Sequence, residues 1–331
     1  MYSSGVKDVL ESIKNITQKG DGDPVLERYK TFPFSRENFM ELKPKDAKLA
    51  FIDGGNAEII HTPSFSVFLI RTYYNVFLQS EKSFAKRQEF YALSWTDENL
   101  FYKTKLFPLT QDCLMPYEKD LLIKISDPTI KDGIFSADIS KMGSVIRKFA
   151  EWKMTSCIKE KNCIVVKDGT LRPGITNGDA YAIESFSEAE KNSSVVASVA
   201  KTSAIFTTTG NNFLSVLQKS APFKSWHYSL IGENENTFVC AAKFHPSSRH
   251  AFRADVMKSA DIQHVLSCIT SNCNDYRFPG YPYGLIDADT FARVTESDKA
   301  YHRTLFLSAS KDHMPHISSG DAHDILNSLV R

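Results

Sequence analysis

Four carboxylates in this chain, Asp53, Glu151, Asp168 and Asp289, have the chemical type and setting to hold a divalent cation. Asp53 follows the apolar run Leu49-Ala50-Phe51-Ile52 and precedes Gly54-Gly55; Asp168 follows Cys163-Ile164-Val165-Val166-Lys167 and precedes Gly169. Each stretch reads as a buried strand ending in an Asp-Gly turn, in its plainest form a hairpin signal. Two such strands side by side would set two carboxylates at one sheet edge. A charge there is costly to desolvate unless a partner or a metal meets it. Hard divalent cations want oxygen ligands, and Mg²⁺ takes one or two carboxylates plus water and phosphate. Two such ions about 4 Å apart activate a water and stabilise the leaving oxygen in phosphodiester cleavage.

Glu151 lies 17 residues before Asp168, on the strongest helical pattern in the chain, so a helix–loop–strand turn returns the chain to Asp168. On its own, a helical Glu is an ordinary solvated residue. Asp287 and Asp289 follow Gly280-Tyr281-Pro282-Tyr283-Gly284 near a helix start, where either acid also suits the dipole, and periodicity does not choose between them. Lys201, at the end of the strand Val195–Lys201, is placed to hold a phosphate as a point charge or to lie at the surface. Arg253 and Asp255 flank Ala254 on a strand and therefore share a face, as a substrate contact or as a plain ion pair. Phe278, Tyr281 and Tyr283 offer faces for stacking unpaired bases, with core packing as the rival role.

The elements that must position these residues follow from periodicity. Val6, Val9, Leu10, Ile13 and Ile16 make a short amphipathic helix, and an irregular arm with Pro24, Pro33 and Pro44 follows, giving an N-terminal segment over 1–47. Strand patterns come in quick succession at Leu49–Asp53, Ala57–His61, Ser64–Leu78, Glu89–Trp95 and Leu100–Leu106, which implies an antiparallel meander. A helix over Ala137–Lys159, capped by Asp138 or Ser140, leads to the Asp168 strand. Alternating strands and helices then run to Leu285–Val294 and Asp321–Leu329. The fold class is α/β: a mixed sheet, antiparallel meander first and parallel βα units after, flanked by helices. That is the order of the ribonuclease H-like fold, in one domain over 48–331 with insertions or sheet extensions near 84–135 and 226–256.

Composition excludes several classes. Of 331 residues, 42% are hydrophobic and 24% charged, as in globular proteins, and the net charge of +1 leaves any nucleic-acid binding to a local patch. The six cysteines make no CxxC pair and no zinc spacing with histidine. No signal peptide opens the chain and no run of eighteen apolar residues occurs, so a cytoplasmic protein with reduced thiols and no membrane association is expected.

Three segments carry a specific likeness: Ile52-Asp53-Gly54-Gly55, Val165-Val166-Lys167-Asp168-Gly169-Thr170-Leu171, and Gly280 through Asp289. With Val199-Ala200-Lys201-Thr202-Ser203 and Phe252-Arg253-Ala254-Asp255-Val256 between them, the chain resembles the NurA nuclease family from about residue 49 to its last helices. The resemblance implies a Mn²⁺-dependent deoxyribonuclease, with Mg²⁺ as a second choice, of the single-strand endonuclease and 5′-to-3′ exonuclease type. It also implies a homodimer docked on a hexameric HerA-type translocase and resecting double-strand breaks alongside a break-sensing nuclease–ATPase complex. Carried over by position, Asp53, Glu151, Asp168 and Asp289 are metal ligands and Tyr281 is a catalytic-site aromatic of the last motif; Lys201, Arg253 and Tyr281 are expected on the substrate from their residue types. Asp289 stands where many members carry histidine, and Lys167 where an apolar residue is usual. The alternative is a weak or inactive docking and DNA-clamping subunit of the translocase, suggested by that altered acid and the near-zero charge.

Overall fold

The computed structural model describes residues 4–17, 22–79 and 81–309. Its first long strand, β1 (Lys48–His61), runs unbroken through Gly54-Gly55. The expected turn after Asp53 is therefore absent, and what the glycines supply is closeness. A Cβ on Gly54 would come within 2.7 Å of Glu151 Oε1, and one on Gly55 within 2.1 Å of the Ala292 carbonyl oxygen. Helices press on both faces of β1 at this point, and no larger residue fits beneath them.

β2 (Phe65–Leu78), β3 (Glu81–Thr96) and β4 (Phe101–Pro108) extend β1 into an antiparallel meander. Of the two alternatives for the stretch near 84–135, its first part is an extension of the sheet. α2 (Lys141–Ser156) follows, entered through a turn in which Asp138 Oδ1 accepts from the Ser140 amide at 2.8 Å. It leads to β5 (Cys163–Asp168), α3 (Asp179–Lys191) and β6 (Val195–Ala200), with β5 parallel to both β1 and β6. α3 escapes the sequence reading because only Tyr181, Ala182, Ser185, Phe186 and Ala189 of it are buried, a narrow stripe of largely small residues.

After β6 the chain departs from parallel βα units. Beyond α4 (Phe213–Ser220), β7 (Trp226–Glu233), β8 (Thr237–Lys243) and β9 (Phe252–Met257) run antiparallel to one another, and β9 is antiparallel to β6. Among the described residues the result is one twelve-stranded mixed sheet whose long strands lie in the order β7-β8-β9-β6-β5-β1-β2-β3-β4. α5 (Ile262–Thr270), α6 (Tyr283–Ala292) and α7 (Glu296–Ala309) complete the described chain. The expected helix at Asp321–Leu329 lies outside the described residues.

Each face of the sheet has its own core. α2 and α3 bury Ile146, Phe149, Trp152 and Phe186 against Phe68, Ile70 and Phe90. α5 and α6 bury Leu266, Ile269 and Leu285 against Phe51, Val166 and Val199. Fully burying each such side chain stabilises the fold by roughly 1.5–3 kcal/mol, so both helix layers are firmly seated. In the N-terminal segment, α1 (Ser4–Thr17) forms as expected, with Val6, Val9, Leu10 and Ile16 exposed. Lys30–Thr31 and Phe39–Glu41 add themselves to the β7 edge, where Phe39 packs edge-on against Trp226 and Tyr228. All six cysteines are free thiols, and no described helix is long and apolar enough to cross a membrane.

Candidate active site

The parallel register of β1 and β5 pairs Ile52 with Lys167, so the next step brings Asp53 and Asp168 alongside one another. At Asp168 the strand does end: Gly169 takes φ +92° and its amide closes on Val199 O at 3.2 Å. Successive strand residues face opposite sides. Lys167 therefore points toward α2 and Asp168 toward α6, and the site straddles the middle of the sheet where β5 ends. A cavity of about 490 Å³ there is lined by Asp53, Arg147, Glu151, Lys167, Asp168 and Lys201, among others. A larger cavity of about 810 Å³ shares Arg172 and Pro173 with it, but its Glu233 is already engaged by Lys30 and Lys258.

On the α6 side, the Tyr281 hydroxyl donates to Asp168 Oδ1 at 3.0 Å. Lys201 Nζ lies 3.0 Å from Asp168 Oδ2 and 3.5 Å from Asp289 Oδ1, and 5.6 Å above the Tyr281 ring. Asp289 Oδ2 also accepts from Arg293 at 2.6 Å. Tyr281 is 1% exposed, so its ring cannot stack a base, and the substrate contact expected of it gives way to a role in positioning Asp168. Of the three aromatics considered for stacking, Phe278 alone is exposed. The structure also separates Asp287 from Asp289. Asp287 is buried away from Lys201 and accepts from Tyr73 at 3.1 Å, Asn75 at 2.8 Å and Lys82 at 2.9 Å.

On the α2 side, Glu151 is buried and its Oε1 accepts from Arg147 at 2.6 Å, while the same guanidinium donates to Gly54 O at 3.2 Å. Lys167 Nζ stands 3.7 Å from Glu151 Oε2 and 4.6 Å from the Trp152 ring. Both cations went unassigned in the sequence reading. Arg147 could have been found from its i,i+4 spacing to Glu151. Lys167 could have been found because a residue just before a site aspartate faces the opposite side of the same sheet.

Asp53 is the electrostatic centre. Its Oδ1 accepts from the Gly54 amide at 2.7 Å, yet its pKa is pushed up to about 7 by burial, then by the Glu151 and Asp168 carboxylates. The Gly54 amide and Lys201 only partly oppose this. Burial pulls the Lys167 ammonium below the ordinary lysine value, against the pull of Glu151 and Asp53. Burial and the neighbouring Asp168 push the Tyr281 hydroxyl well up, so it remains a donor.

Arg253 takes the ion-pair alternative and not the substrate contact. It is buried and paired with Asp255 through Nε–Oδ1 at 2.7 Å and a second bond at 3.0 Å, with Tyr29 across its guanidinium at 5.3 Å. An arginine so engaged is not open to substrate. Asp255 Oδ2 accepts from the Leu171 amide at 3.0 Å, so the pair instead fixes the loop that follows Asp168.

Among the described residues, no three His, Cys, Asp or Glu side chains converge into a ready metal cage. What fits a hard cation is the pair Asp53 and Asp168. Asp53 has no ion-pair partner among the described residues, and its ionisation is opposed by neighbouring negative charge, which a divalent ion would relieve. Glu151 and Asp289 are each already held by an arginine.

The NurA domain family model matches residues 118–294, more than half of the 331-residue chain. The structure is similar to that of the NurA nuclease from Sulfolobus solfataricus, with 13% sequence identity over 93% of this chain and 97% of that one, and a TM-score of 0.55. A looser likeness joins it to Ciona intestinalis endonuclease V in complex with DNA, at 11% identity over 87% and 96% of the chains and a TM-score of 0.39. No curated protein matches the chain.

Proposed function

This chain belongs to the NurA domain family, and on that premise we propose that it is a metal-dependent deoxyribonuclease on a ribonuclease H-like fold. The observation that carries the reading is that the register of adjacent parallel strands brings Asp53 alongside Asp168, with the Asp53 pKa raised to about 7 first by burial and then by the Glu151 and Asp168 carboxylates. Asp53 and Asp168 would hold Mn²⁺, or Mg²⁺, with Asp289 beside them across Lys201. When bound, such an ion polarises a phosphate oxygen and supplies a water activated for in-line attack.

The chain's own residues do the rest. Tyr281 fixes the Asp168 carboxylate, so its free lone pairs keep one direction. Lys201, nearly half exposed, sits between Asp168 and Asp289 and meets an incoming phosphate as a point charge. Arg147 clamps Glu151 and the Gly54 carbonyl together, which ties α2 to β1 beneath the reacting group. The 490 Å³ cavity lies at the end of β5 and suits a flexible single strand or a frayed end.

Family membership further supports action at DNA ends during double-strand break resection, as a homodimer with a HerA-type translocase. The exposed apolar stripe of α1 would contribute to such assembly. The test is a cleavage assay on end-labelled single- and double-stranded DNA with Mn²⁺, with Mg²⁺ and with EDTA. Cleavage with Mn²⁺ that EDTA abolishes is expected. No cleavage under any condition, together with capture by the translocase, would favour a docking subunit instead.

A further inference from the structure

Five cations line the active-site cavity, and they divide into two groups. Arg147 is engaged by Glu151, and Lys201 stands between Asp168 and Asp289. Lys167 is 2% exposed, closed in beside Glu151 and the Trp152 ring. The other two differ: Lys148 is exposed, Arg172 is half-buried, and neither has a carboxylate partner among the described residues. They come from different walls of the cavity. Lys148 belongs to α2, one residue past Arg147, and Arg172 to the loop that follows β5.

The backbone at Arg172 is held from both sides. Leu171 before it is buried, and its amide donates to Asp255 Oδ2 at 3.0 Å. The Arg172 carbonyl accepts from Thr170 Oγ1 at 3.1 Å. Pro173 after it has a fixed φ and sits so close to Gly178 that a Cβ there would lie 2.6 Å from the proline ring. The guanidinium itself makes no hydrogen bond among the described residues and keeps its five donors for a ligand. The buried Arg253–Asp255 pair thus has a consequence at the cavity: it sets the place of an arginine that is open to substrate. Arg172 also lines the neighbouring cavities of about 810 and 380 Å³, so a strand leaving the active-site cavity has room to pass it.

At about 490 Å³ the active-site cavity has the size that takes one drug-sized molecule, and a single nucleotide is of that size. The phosphates neighbouring that nucleotide therefore fall at its walls, where the two unpartnered cations stand. We propose that Lys148 and Arg172 bind the backbone phosphates next to the one that is cut, one from each wall, and so seat a single strand across Asp53 and Asp168. The inference rests on the nuclease reading given above and names the residues that hold its substrate. Arg172 offers a planar fork to two phosphate oxygens, and Lys148 meets its phosphate as a point charge. Neither contact reads the base, so the grip is independent of sequence.

The experiment is binding of a fluorescein-labelled thymidine oligonucleotide to the full chain, read by anisotropy over a series of KCl concentrations. It is run with Ca²⁺ in place of Mn²⁺ and again in EDTA. Each phosphate that a cation neutralises on a single strand contributes about 0.7 to the slope of log affinity against log salt. Lys148→Gln and Arg172→Gln are each expected to flatten the wild-type slope by about 0.7, and the double variant by about twice that. Arg172→Lys keeps the charge and is expected to keep the slope. So is Lys105→Gln, an exposed position on β4 with three strands between it and β5. Circular dichroism confirms that every variant is folded. A wild-type slope in folded Lys148→Gln or Arg172→Gln, or an equal flattening in Lys105→Gln, would overturn the proposal and leave the nuclease reading intact. No binding of the strand by the wild type in either condition would overturn the nuclease reading itself, and this inference with it.

Discussion

Replacing Asp53 by asparagine should make the metal-free protein more stable, and only above a definite pH. In the fold Asp53 titrates at about 7 against an ordinary 3.8, so between those values the folded chain holds a proton that the unfolded chain has lost. Protons bound in excess by the folded state mean that stability falls as pH rises through this window. A gap of about three pH units, at about 1.4 kcal/mol each, makes ionised Asp53 cost the fold on the order of 4 kcal/mol by pH 8. Asparagine keeps the shape and the Gly54 contact region but cannot ionise. Urea unfolding in EDTA from pH 4 to pH 8 should therefore give nearly equal stabilities at the acid end. The curves should then diverge, with Asp53→Asn more stable by up to about 4 kcal/mol at pH 8. Mn²⁺ should reverse the order, because a bound cation favours the carboxylate the variant lacks. Parallel curves across the window would refute the placement of Asp53 among uncompensated carboxylates.

Other perturbations separate the parts of the site. Gly55→Ala drives a Cβ into the Ala292 backbone and should cost about 3 kcal/mol of thermal stability, whereas Gly54→Ala meets side chains, Glu151 Oε1 and Cγ and Arg147 Cγ, and should cost less, about 1–2 kcal/mol. Asp255→Asn leaves the Arg253 guanidinium buried without its counter-charge and frees the Leu171 amide, a loss of about 3–5 kcal/mol by denaturant unfolding. Asp287→Ala strands the Tyr73, Asn75 and Lys82 donors and should destabilise the fold by about 2–4 kcal/mol. Asp289→Ala, at a partly exposed ion pair, should stay within about 1 kcal/mol while lowering cleavage, as parallel melting and nuclease assays would reveal.

What the sequence made legible was local. Apolar runs located β1 and β5, periodicity located α2, and the acids on them do converge on one cavity. The two Asp-Gly patterns looked alike and are not. Gly169 ends a strand in a left-handed conformation, while Gly54-Gly55 stays extended because α2 and α6 leave no room for side chains. Nothing local distinguishes these cases, since the difference lies in residues about 100 and 240 positions away, at Glu151 and Ala292. For the same reason the sequence leaves Tyr281 and Arg253 open between substrate contact and internal packing or pairing. Their types suit nucleic acid, but burial and the partners Asp168 and Asp255 decide their use, and those partners are set by tertiary packing. Asp289 was separable from Asp287 only once Lys201 and Lys82 were placed on opposite sides of α6.

The central claim is that Asp53 and Asp168 together make this chain a metal-dependent nuclease. Its most direct test is Mn²⁺-dependent cleavage of end-labelled single-stranded DNA by wild type, Asp53→Ala and Asp168→Ala, purified identically and shown to be folded. Cleavage by the wild type and none by either variant is the predicted result. Wild-type rates from a folded Asp53→Ala protein would contradict the account.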